Sequence, residues 1–211
     1  TSIGVINPPG QGVSGMRVAL EMLQGREVAD DALRGEFGNS LYLPIPGVVT
    51  EENFEEVYQE FQDRPASYTL DGWITEEQAV QLMEGELMAE DLMEDLPYTG
   101  EPETPTVEAS FTPPEQDTAE EISAILPAAD EVEGAPFTIG VSNGFVGSEW
   151  RTQMIQNMQE VNQEYMDQGL TNELIIESAD VDVQGQIQQI QNLINRGVDA
   201  IIINPNDQNA L

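Results

Sequence analysis

The chain has 211 residues, with 40 Asp and Glu against six basic residues, all of them Arg, for a formal net charge of −34; Cys, His and Lys are absent. These absences exclude disulfide frameworks, thiol nucleophiles and thiolate metal sites, the Ser-His-Asp triad and His-ligated zinc, and lysine Schiff bases or a P-loop lysine. A surface this negative repels nucleic-acid phosphates and anionic lipid headgroups, and no apolar run approaches the length of about 18 residues that a membrane helix needs.

The length allows one or two small domains. Residues 1–83 hold 14 acids and four Arg, residues 84–135 hold 16 acids and no base, and residues 136–211 hold 10 acids and two Arg. The middle stretch is the most acidic, but both flanks are acidic too. Acidity throughout, with no Lys, points to a protein that works in high salt, where screening relieves self-repulsion. An ordinary acidic extracytoplasmic protein is the alternative. No signal peptide is recognisable, and Thr1 in place of an initiator Met implies that the chain begins inside a longer one.

In chain order, Ser2–Ile6 predicts a short strand and Asn7-Pro8-Pro9-Gly10 a turn. Val13, Met16, Leu20 and Leu23 recur at helical spacing, with Gly25 as the stop. Leu41–Val49 is apolar and extended, and Pro44 and Pro46 confine it to an edge strand or crossover. Thr50 caps a helix predicted to run to Gln62. Thr75 with Gln78 forms a capping box for a short helix ending near Met83.

Residues 84–135, with six Pro, cannot bury enough apolar surface to offset their ordering entropy and read as a self-repelling linker. Glu84–Leu96 and Glu120–Leu126 are expected there as short, frayed helices. Next come a strand at Phe137–Ser142, a helix at Ser148–Gln168 with Met154, Met158, Val161 and Tyr165 on one stripe, and a strand at Glu173–Glu177. A helix at Val183–Asn195 carries Val183, Ile187, Ile190 and Ile194 inward, and Asp199–Ile203 reads as a strand covered on both faces. Right-handed crossovers make this β-α-β-α-β run a parallel sheet. Its ligand site is expected at the carboxyl ends of the strands: Ser142–Phe145, Ser178–Asp180 and Asn204–Asn206.

Gly10-Gln11-Gly12-Val13-Ser14-Gly15 fits G-x-G-x-x-G, with Asp30 and Asp31 downstream. The acid should end a second strand, but Arg26–Glu36 is charged and loop-like, so a close-packing glycine turn is the stronger reading. Ser142–Arg151 is the most informative stretch. Sugar recognition needs an apolar ring face and planar polar groups. Phe145 and Trp150 offer the first; Asn143, Glu149 and Arg151 offer the second. A core Trp150 beside a solvated helix start explains the same residues equally well. Glu51-Glu52, Glu55-Glu56 and Glu76-Glu77 suit helix N-termini and read as solvated. No spaced calcium loop is present.

Residues 136–211 resemble the first half of the N-terminal lobe of type I periplasmic sugar-binding proteins of ABC transporters. Thr138–Ser142, Phe145–Arg151, Val183–Ile194 and Gly197–Pro205 carry the likeness. Residues 1–83 are similar to the C-terminal end of the same family: Gly10–Gly25 to its late helix, Leu41–Pro46 and Val48–Thr50 to its last strand, Glu51–Gly72 to its tail. The acidic stretch resembles the spacer that tethers such proteins to a membrane anchor. The order is reversed, which fits the end of one module followed by the start of another; a circular permutant is the alternative.

The resemblance implies an α/β fold, a parallel three-layer sandwich with incomplete lobes: 1–83 and 136–211 as module portions, 84–135 as a disordered acidic linker. It implies that Asn143, Phe145, Trp150 and Arg151 face a sugar, and that Asn7 lies near a contact of the other lobe. It further implies a monosaccharide or small carbohydrate ligand, an ABC permease as partner, and no catalytic residue, cofactor or metal. No nucleic acid partner and no membrane insertion of this segment are expected. The location would be periplasmic or at the cell surface, secreted or lipid-anchored. An effector-sensing domain of the same fold is the runner-up, and a dinucleotide-dependent oxidoreductase a weaker third.

The charge itself makes a prediction. The melting temperature should rise as NaCl goes from low to molar concentration, because screening weakens self-repulsion. A flat or falling dependence would remove the high-salt reading.

Overall fold

A computed structural model of the chain describes residues 4–5, 8–30, 32–33, 38–41, 48–63, 71–86 and 118–207. Its main unit is a three-stranded parallel sheet, β3 (Ile139–Asn143), β4 (Ile175–Ser178) and β5 (Ala200–Asn204), in the order β4-β3-β5. The register sets Val141 opposite Ile176 on one side and Ile202 on the other. α5 (Glu149–Asp167) and α6 (Val183–Asn195) make the two crossovers. Ser148 caps α5 by accepting from Arg151 N–H, and Asp182 caps α6 by accepting from Gly185 N–H. Gly169 and Gly197, at φ of 76° and 71°, take the left-handed turns that end these helices.

The fold class is the expected α/β, with two corrections in packing. α6 turns Gln186, Gln189 and Leu193 inward, not the Val183-Ile187-Ile190-Ile194 stripe, and Ile194 is 60% exposed. Sterics and polar satisfaction decide this. Gly140 leaves room for Leu193 to sit on the sheet, and Gln186 and Gln189 hydrogen-bond buried groups of β3 and β5. β5 is an edge strand with Ile203 39% exposed, so it is not covered on both faces.

In the first region, β1 (Gly4–Val5) pairs antiparallel with β2 (Val48–Val49). α1 (Gln11–Leu23) matches the predicted stripe, and Gly25 follows it at φ 92°. The helix expected from Thr50 is shorter. It is α2 (Phe54–Phe61), because Thr50 and Asn53 bond each other in a preceding turn. α3 (Glu76–Glu84) has the predicted Thr75–Gln78 capping box and a left-handed Gly85. The expected Leu41–Val49 extension lies largely outside the described residues, as does Glu84–Leu96 beyond residue 86.

The acidic stretch is described at 84–86 and from 118 onward. There α4 (Ala119–Ile125), opened by a Thr118–Glu121 capping box, buries Ile122 completely and Leu126 almost so. This part of the expected linker therefore joins the core: its i, i+4 apolar pair is sparse but sufficient to dock.

Residues assigned by sequence to different module portions meet in one cluster. Val13, Met16 and Leu20 of α1 pack with Met154, Met158, Val161 and Tyr165 of α5, above Ile139 and Val141 of β3. Gly12 permits the approach, since a Cβ there would lie 2.8 Å from Met158 Sδ. Asp71 pins the same seam: it accepts from Gly10 N–H at 2.6 Å and Gln153 Nε2 at 2.8 Å, and also from Asn157 Nδ2.

Below it lies a buried polar cluster. Arg17 Nε is 3.2 Å from both Glu76 Oε1 and the Tyr165 hydroxyl; the hydroxyl donates to Glu76, and Arg17 also donates to Ile74 O. Burial, and then the Glu76 charge, push the Tyr165 hydroxyl well above its ordinary pKa, so it stays a donor. Glu76, expected as a solvated cap residue, is fully buried.

Removing one member of such a pair strands the other charge in the interior. Arg17→Met should lower unfolding free energy by about 3–5 kcal/mol in urea titrations, and Arg17→Met/Glu76→Gln should recover part of that. A loss below about 1 kcal/mol for the single variant, the scale of an exposed pair, would show that the cluster is not closed in solution.

Candidate functional site

The carboxyl ends of β3, β4 and β5 are stitched into one rim. Ser142 donates to Gln189 Oε1 at 2.9 Å, and Gln186 donates to Asn204 O at 2.9 Å while accepting from Asn206 N–H at 2.8 Å. Asn206 Nδ2 then reaches Val181 O at 2.7 Å and Gly144 O at 3.1 Å. A Cβ on Gly144 would fall 2.3 Å from that amide, so the turn needs glycine to bring the loops together. Asp180 closes the rim by accepting from Val146 N–H at 2.8 Å.

Asn143 ends the central strand and is 1% exposed. Its amide donates to Phe145 O at 2.8 Å and Ser178 Oγ at 2.9 Å, and its Oδ1 accepts from Arg151 Nη1 at 2.6 Å. One side chain thus ties the β3 loop, the end of β4 and the first turn of α5. Both of its N–H donors are engaged, so Asn143 holds Arg151 in place. The guanidinium carbon lies 5.9 Å from the centroids of both the Phe145 and Trp150 rings, within cation–π range. Partial burial lowers the Arg151 pKa, and no charged neighbour contributes to the shift.

Phe145 is 45% exposed, its ring lying over Gly147, where a Cβ would be 2.7 Å from Cζ. Trp150 is half-buried against the main core cluster. Glu149 is exposed. A cavity of about 280 Å³ opens between α5 and the end of β4, lined among others by Asn143, Val146, Arg151, Ile155, Gln159 and Ser178. That is near the lower end for small-ligand sites, about 300 Å³ and upward.

Of the residues singled out from sequence, Asn143, Phe145, Trp150 and Arg151 are brought together. Asn7 lies outside the described residues. Asn206 falls at the strand end where the sequence placed it; sequence reasoning missed Gln186, which sets the rim with it, and Ile155 and Gln159, which wall the cavity. The i, i+3, i+7 spacing of Gln186, Gln189 and Leu193 was the available signal. It was masked by the habit of turning amides outward.

The Gly10–Gly15 turn shows no nucleotide geometry. Gly10 N–H is taken by Asp71, Gly12 serves the α1–α5 approach, and Asp30 sits in an exposed turn with no strand before it.

A family model for the periplasmic binding protein domain matches residues 139–211, the stretch from β3 through β5 that carries this rim. No curated protein and no solved structure matches the chain. Proteins of that family in general bind small molecules, do no chemistry on them, work outside the cytoplasm and partner with transporters. Among the described residues no helix is long and apolar enough to cross a membrane.

Proposed function

We propose that the chain is part of a solute-binding protein that captures a sugar between two α/β lobes outside the cytoplasmic membrane. It would hand the sugar to the permease of an ABC-type importer, from a secreted or lipid-anchored position. The observation that carries this is the pairing of an exposed aromatic face, Phe145, with a fixed planar donor, Arg151, which itself lines a cavity at the strand ends. A sugar presents C–H faces to the first and hydroxyls to the second. The match of residues 139–211 to a binding family supports the reading. In it Phe145 and Arg151 touch the ligand, Asn143 positions Arg151, and Trp150 braces the helix start.

Titration of a hexose and pentose panel, followed by tryptophan fluorescence, tests the proposal. Phe145→Ala should weaken the best ligand by about 1–3 kcal/mol, the scale of one buried apolar side chain, with little change in stability because the ring is already half in water. Trp150→Ala should lower both affinity and melting temperature. Unchanged affinity in the Phe145 variant would place the site elsewhere.

A further inference from the structure

The distribution of charge around Arg151 says more about the solute. Every other arginine among the described residues has a carboxylate partner. Arg17 lies 3.2 Å from Glu76, Arg26 lies 2.5 Å from Glu21 and 3.2 Å from Glu84, and Arg196 lies 3.6 Å from Glu177. Arg151 has none. Its contacts are Asn143 Oδ1 and the two aromatic rings. In a chain of 40 acids and six arginines, acids are abundant enough to reach any arginine. Glu149, two residues away, is exposed, and Asp180 is engaged with Val146 N–H; neither is within ion-pair distance of the guanidinium. The residues that wall the cavity include no acid at all.

From this we infer that the solute carries a single negative charge, a carboxylate on a hydroxylated ring, for which Arg151 is the counter-ion. The inference rests on the sugar-binding reading above and narrows it to sugar acids. Only Nη1 of Arg151 is engaged by a protein acceptor, so the guanidinium keeps donors for a planar, bidentate carboxylate. The group is partly buried, which pushes its pKa down, and a partly buried cation gains from a counter-charge that a ligand can supply. Thr152, Gln156, Gln159 and Ser178 on the wall can serve the hydroxyls of the ring, while Arg151 is the one charged group there and is the group suited to a carboxylate. One cation balances one charge. A dianionic phosphate would leave a charge uncompensated in the field of a chain at −34.

The test is a set of fluorescence titrations of the intact chain at one fixed molar NaCl concentration. The probes are galacturonate against galactose, glucuronate against glucose, galactose 1-phosphate, and acetate. At least one uronate should bind about tenfold or more tighter than its neutral sugar, the scale of one charge-assisted pair. Arg151→Gln should bring the two to parity, and Arg151→Lys should keep part of the preference, which guards against loss of fold in the first variant. Neutral sugars binding as tightly as uronates, or a preference unchanged in Arg151→Gln, overturns the inference while leaving the sugar-binding reading standing. Preference for the sugar phosphate overturns the single-charge assignment. Acetate binding as well as the uronates upholds the anion site and overturns the sugar reading. No binding by any probe overturns both.

Discussion

Arg17, Glu76 and Tyr165 are buried together where α1, α3 and α5 meet, and the placement of α5 depends on them. The pair is worth little if complete and a great deal if broken. It therefore acts as a register: α5 cannot slide or roll against α1 without stranding a charge. Asp71 repeats the device two to three turns nearer the sheet ends, through Gln153 and Asn157 of α5. Four residues before Gln153, the same helix begins and presents Trp150 and Arg151. Rigidity established in the core is thus delivered to the rim by a single continuous helix, with Asn143 fixing the last atom positions.

The rim is built the same way at smaller scale. Gln186 and Gln189 occupy positions that hydrophobic residues usually take, and their amides satisfy Ser142, Asn204 and Asn206. Buried polar networks of this kind favour one arrangement over near alternatives when fully bonded. The consequence is a rim whose loops are held by their own hydrogen bonds, with Phe145 and Val146 left exposed beside it. In a chain of net charge −34, the described residues that wall the cavity include no acid.

Much of the fold was legible in the sequence because the signals were local. The Thr75–Gln78 box, the glycines at 25, 169 and 197, and the bounds of α6 all follow from capping and periodicity. The position of the loop from Asn143 to Arg151 was legible too, since a strand feeding a helix places it at the sheet end. What was not legible depends on partners distant in the chain. Glu76 looks like a solvated helix start until Arg17, 59 positions earlier, comes to meet it. The inward face of α6 was misread because apolar periodicity favours isoleucines, whereas the bonds awaiting two glutamines at β3 and β5 outweigh it. The short helix at Glu120–Leu126 was read from the sequence, but its docking was not, because the acidic, Pro-rich background hides the one apolar pair, Ile122 and Leu126, that reaches the core. The meeting of α1 with α5 could not be read from chain order at all.

The central claim is that the strand-end rim, and not the glycine-rich start of α1, receives the solute. Backbone amide shifts of the isotopically labelled chain, followed by NMR during titration with the tightest-binding sugar of the panel, test it most directly. The account predicts perturbations concentrated at Asn143–Thr152, Ser178–Asp180 and Asn204–Asn206, with Gly10–Gly15 unmoved. Perturbations centred on Gly10–Gly15, with the rim unchanged, would contradict it.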